Sequence, residues 1–134
     1  MKNSTKWLQI SFRVGATTDG LVALAMFSEA IIGHTSPLTH YAPDIPYRYA
    51  IGLAGSLMLG WTALLLWADR EPVERRTVLP LTCLVVIGLM ATGAFGISTN
   101  YIPLGPGIAL LLFQAVLVAL FTWSYIVSRP SSPP

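Results

Sequence analysis

Leu104–Val127 reads LGPGIALLLFQAVLVALFTWSYIV and contains no charged residue. About 20 helical residues, at roughly 1.5 Å each, cross the ~30 Å hydrocarbon core of a bilayer. In hydrocarbon a chain must satisfy its own backbone groups, so a spanning segment is a helix or a strand of a closed barrel. Barrel strands run about ten residues with polar and apolar side chains alternating. The run Ile108-Ala109-Leu110-Leu111-Leu112-Phe113 does not alternate. The stretch therefore predicts a membrane-spanning helix.

Three stretches of the same kind precede it, at about Phe12–Gly33, Tyr47–Ala68 and Thr77–Ile97. The composition agrees: 54% of the 134 residues are apolar and 10% are charged. A soluble domain has roughly 25% charged residues, and a disordered chain is far less apolar. The expectation is an all-α membrane protein. Its single domain, residues 1–129, is a four-transmembrane-helix antiparallel bundle, and residues 130–134 form a disordered tail. The bilayer is its first partner. A net charge of +2 with no basic stripe does not suggest nucleic acid.

Basic residues set the orientation. Lys2, Lys6, Arg13, Arg70, Arg75, Arg76 and Arg129 fall on one side, and Arg48 stands alone on the other. Both termini and the 70–76 connector are thus expected in the cytoplasm, which makes this a multi-pass cell-membrane protein (inner membrane in a bacterium). Trp7, Trp67, Trp123 and Tyr125 suit the inner interface, and Tyr41, Tyr47, Tyr49 and Tyr101 the outer one. Ser28-Glu29-Ala30 offers a signal-peptidase site after Ala30, but Asp19 interrupts the apolar run and Ile31-Ile32 continue it. A retained first helix is the expectation. In the 69–76 connector, Asp69 is a candidate cap and Pro72 a candidate first-turn residue of the third helix.

The first helix holds the unusual charges. Gly15, Asp19, Val22, Met26, Glu29 and Gly33 alternate spacings of four and three, which keeps them on one stripe. Asp19 lies about 10 Å from the cytoplasmic end and Glu29 lies near the outer boundary. A carboxylate at the bilayer centre costs about 3 kcal/mol on insertion scales, so such residues face the bundle and find partners. Two readings stand. The acids bind a ligand, proton or cation, or they are polar clamps between helices. Arg48 is a candidate partner for Glu29 or Asp44. Arg13 is the cation nearest Asp19, but six residues of separation put it on another face. Gln114 lies near the midplane of the fourth helix, where its amide needs partners among Asp19, Thr17 and Thr92.

Gly52, Ser56 and Gly60, and again Gly88, Thr92 and Gly96, recur every fourth residue. Small residues let helix backbones approach in lipid, so these are the expected packing seams. Cys83 is the only cysteine, which excludes an intramolecular disulfide and a cysteine zinc site. His34 and His40 are weak metal candidates, six apart in a proline-broken loop. A haem would lack a second axial histidine, since none occurs beyond His40. No cofactor is indicated.

Three functions follow. The first is binding or transport of a small ligand, cation or proton through Asp19 and Glu29, with Arg48 and Gln114 in the site. The second is an accessory or assembly subunit of a larger membrane complex. The third is a membrane-embedded enzyme using Glu29, His34 and Arg48 at the outer interface. A homo-oligomer or a membrane-protein partner fits the first two.

Overall fold

A computed structural model describes residues 2–33 and 43–128. The expectations for His34, His40, Tyr41, Arg129 and the 130–134 tail lie outside the described residues. The described residues form four helices: α1 Lys2–Ile32, α2 Ile45–Asp69, α3 Val78–Ser98 and α4 Leu104–Val127. Each is long and apolar enough to cross a membrane, and the described residues contain no strand.

The ends of these helices differ from the apolar runs for local reasons. Hydropathy finds the span, not the helix, so the polar turns that open α1 were missed. They bring Leu8 into the core with no exposure, beside Phe12. With 31 residues, α1 is about 46 Å long and exceeds the hydrocarbon thickness. α2 starts at Ile45 because the Asp44 carboxylate accepts the Tyr47 N–H at 2.9 Å. Asp44 is thus a helix cap. The roles expected for Asp69 and Pro72 are corrected: Asp69 ends α2, and Pro72 is buried in a separate turn. That turn is closed by Arg75 N–H to Glu71 O at 3.0 Å, and α3 begins only after it.

α1 packs along α2, and α3 along α4. The two pairs meet in a core of Leu8, Phe12, Ala16, Leu65, Ala68, Val78, Leu79, Val86, Leu117 and Phe121. All of these lie toward the start of α1 and α3 and the end of α2 and α4. Polar contacts reinforce the same region. The Ser11 and Ser124 hydroxyls are 2.7 Å apart, and Ser124 also donates to Trp7 O at 3.3 Å. Ser124 has one proton, so giving it to Trp7 leaves Ser11 as donor in the pair. Trp61 Nε1 donates to Thr82 Oγ1 at 3.3 Å, and Arg76 donates to Ser128 O at 2.8 Å.

The expected small-residue ladders are corrected. Gly52 faces Ala30, and Gly96 faces Ile102, but Gly60 and Gly88 have no neighbour within 4 Å of a built Cβ. Ser56 and Thr92 are exposed and bond back to the carbonyls of Gly52 and Gly88, both at 3.0 Å. At 3.6 residues per turn, each step of four rotates about 40° too far, so the ends of such a ladder stand about 80° apart. The lines that stay on one face mix threes and fours. Gly52, Gly55, Thr62, Leu65 and Asp69 face α1; Leu79, Thr82, Val86, Gly93 and Gly96 are the buried line of α3. Gly55, where a Cβ would stand 3.2 Å from Met26 Cβ, is the close approach of α1 and α2.

Candidate functional site

Among the described residues, no helix carries a basic residue in its last turn. The exposed carbonyls and negative dipole end of a helix C-terminus attract cations. Three arginines from other elements supply them. Arg48 on α2 donates from Nε to Ala30 O at 2.8 Å and from Nη2 to Ile31 O at 2.6 Å. Arg75 donates to Trp67 O at 2.6 Å, pairs with Glu71 and lies over the Trp67 ring. Arg76 reaches Ser128 O, beyond α4.

This changes the expected role of Arg48. Its guanidinium covers the end of α1 and forms no ion pair with Glu29 or Asp44 among the described residues. The path is opened by Gly33, whose φ of +74° turns the chain out of the helix. A Cβ there would stand 3.3 Å from the guanidinium carbon. In the expected cluster of Glu29, His34 and Arg48, the Arg48 guanidinium is thus engaged by the α1 carbonyls, and His34 is outside the described residues.

Glu29 is buried, with 7% exposure, and accepts the Tyr47 hydroxyl at 3.2 Å. The Tyr101 phenol, in the link between α3 and α4, lies near enough to Tyr47 to act on it electrostatically. The two tyrosines were read only as interfacial anchors. No spacing in the sequence could pair them, because they come near each other across the two helix pairs.

Asp19 differs from Glu29. It is half-buried in the span of α1 and forms no hydrogen bond or ion pair with any described residue. Arg13 is bonded through Nε to Asp69 Oδ2 at 3.0 Å. Gln114 is buried on α4, and its Oε1 has no partner. The partners expected for it are otherwise placed: Asp19 makes no bond, Thr17 is exposed and Thr92 bonds to its own helix. Asp69 Oδ1 is also buried without a partner.

The structure thus separates the expected site residues into two places. Glu29 and Arg48 belong to the end of α1 and the start of α2. Asp19 and Gln114 lie further along α1 and α4, helices whose facing residues are Ser11 with Ser124 and Gly15 with Phe121. Among the described residues, no three His, Cys, Asp or Glu side chains converge as metal ligands. Comparison with known proteins finds no matching family model, no similar curated protein and no similar solved structure.

Proposed function

We propose that this chain is a small multi-pass membrane protein that binds a proton or small monovalent cation through Asp19. The single observation behind this reading is that Asp19 lacks a counter-ion inside a membrane span. A polar clamp predicts a partner in a neighbouring helix, and the nearest cation, Arg13, is held by Asp69. Gln114 supports the same chemistry, since its unpartnered Oε1 is a neutral oxygen ligand. The register set by Ser11 with Ser124 and Gly15 with Phe121 brings Asp19 level with Leu117. Gln114 is then one turn further along, about 5 Å at 1.5 Å per residue. A carboxylate and an amide oxygen are both acceptors, so their ligand is a proton, an alkali cation or an ammonium group.

The bundle in this proposal is antiparallel and forms one domain over residues 1–129. The termini and the 70–77 segment face the cytoplasm, which the basic residues support. The test titrates the protein in nanodiscs with sodium and ammonium chloride and with acid. Asp19→Asn is expected to abolish saturable binding of the ion that the unmodified chain takes up. Unchanged binding by a folded Asp19→Asn protein contradicts the proposal.

An accessory subunit is the second reading. A shallow apolar groove between α3 and α4, lined by Ile87, Ala91, Ala94, Leu111, Ala115 and Val118, favours it. Its three alanines let another helix approach closely, as helices of a larger complex do. Co-purification of a stoichiometric partner in mild detergent tests that alternative.

A further inference from the structure

The described basic residues other than Arg48 lie toward the end of the bundle where α1 and α3 start. Two of them are engaged by the protein itself. Arg75 donates to Trp67 O and pairs with Glu71, and Arg76 donates to Ser128 O. Lys6, Arg13 and Arg70 are exposed. Arg13 is held by one atom: its Nε donates to Asp69 Oδ2 at 3.0 Å, while its side chain stays 67% exposed. A guanidinium carries its N–H donors in a planar fork. The two Nη groups of Arg13 make no hydrogen bond with a described residue. They form the end-on edge that takes two oxygens of one phosphate.

The bond to Asp69 also fixes where that edge lies. It ties Arg13 to the residue before Arg70, whose exposed side chain has no hydrogen bond or ion pair with a described residue. Lys6 stands two turns from Arg13 on the same face of α1. Glu71 is held by Arg75, which leaves Glu74 as the unpaired acid of the turn against these three cations. The Arg13–Asp69 and Ser11–Ser124 contacts put Arg13, Trp67 and Trp123 within about 3 Å of one level. Both indoles are exposed, and exposed tryptophans gather at the headgroup level of a bilayer. Further along α1 from Arg13, Leu21 and Leu24 are exposed and offer an apolar surface to acyl chains.

We propose that Arg13 and Arg70 bind the phosphodiester of one anionic phospholipid at the membrane surface. The two Nη groups of Arg13 take two phosphate oxygens, Asp69 aims them, and Lys6 adds to the positive field. The acyl chains lie along Leu21 and Leu24. A zwitterionic lipid is disfavoured, because its ammonium group would stand among the same cations. The site rests on the membrane-spanning reading of the helices and not on ion binding at Asp19.

Native mass spectrometry in a neutral detergent counts lipids bound one at a time, with dioleoyl phosphatidylglycerol or dioleoyl phosphatidylcholine as the probe. The unmodified chain is expected to bind its first phosphatidylglycerol more tightly than its first phosphatidylcholine. One basic residue near a membrane surface contributes about fivefold to anionic-lipid affinity. Arg13→Gln and Arg70→Gln are each expected to lower the first phosphatidylglycerol affinity by about that factor. Arg70 touches no described residue, so its variant reads the site even if folding needs the Arg13–Asp69 pair. Arg13→Lys separates a site from a diffuse field. It keeps the charge and loses the fork, and its affinity is expected to fall as far as that of Arg13→Gln. The site is overturned if the two lipids bind equally, if Arg70→Gln changes nothing, or if Arg13→Lys keeps the unmodified affinity. Equimolar inorganic phosphate is expected to leave the bound phosphatidylglycerol in place. Its displacement would mark a soluble-anion site and overturn the lipid assignment.

Discussion

Gly107→Ala isolates what the close approach of α3 and α4 contributes. An added Cβ would lie 2.6 Å from Ile97 Cγ1, 2.7 Å from Ile97 Cδ1 and 3.3 Å from Ile102 Cγ2. Carbon atoms prefer roughly 3.5–4.0 Å, so Ile97 must move by about 1 Å. It is β-branched and within a helix, where one χ1 rotamer dominates, so it cannot simply rotate away. Overpacking of this kind costs about 1–3 kcal/mol. Glycine to alanine in a helix also gains up to about 1 kcal/mol by propensity, which partly hides the clash. Gly60→Ala removes that ambiguity, because it gains the same propensity with no neighbour within 4 Å. The difference between the two variants is then the packing term, about 2 kcal/mol from the middle of the range. That corresponds to a folded-to-unfolded ratio changed by roughly 30-fold. The assay is equilibrium unfolding in mixed micelles with rising SDS, followed by tryptophan fluorescence. Ile97→Ala in the Gly107→Ala background is expected to restore part of the loss. Equal stability of Gly107→Ala and Gly60→Ala, within about 0.5 kcal/mol, would refute the packing argument.

Other substitutions test the remaining contacts. Gly60→Leu places a large side chain on an open surface and is expected to change stability by no more than about 0.5 kcal/mol in the same assay. A large loss of folded yield would show that Gly60 lies in a seam. Arg48→Met removes the cation from the end of α1 and is expected to cost about 0.3–2 kcal/mol. Faster amide exchange at Gly33, whose N–H bonds to Glu29 O at 3.0 Å, reports it locally; unchanged protection there contradicts the capping role.

The number and class of the helices were legible because lipid imposes a simple rule: every span must be a long apolar run. The stripe on α1 was legible from spacing alone. What spacing could not reveal is which face of a helix meets which neighbour. Gly60 and Gly55 are the same residue type five positions apart on α2, yet one is open and the other touches Met26. The charges show the same limit. Arg48 was expected to pair with an acid, but the carbonyls at the end of α1 compete for it and win through two short bonds. Arg13 was recognised as badly placed for Asp19; its actual partner, Asp69, is fifty-six residues away. That pairing takes up the basic residue nearest Asp19 in the sequence.

Asp19 is also where the central claim is tested most directly. Infrared difference spectra of the protein in a bilayer film can be recorded while sodium, ammonium or acid is exchanged over it. A bound ion or proton changes the stretching band of the carboxyl group that holds it. The account predicts an ion-dependent carboxyl band that is present in the unmodified chain and missing from Asp19→Asn, with the amide bands of the helices unchanged. Spectra with the same ion-dependent bands in both proteins would contradict it.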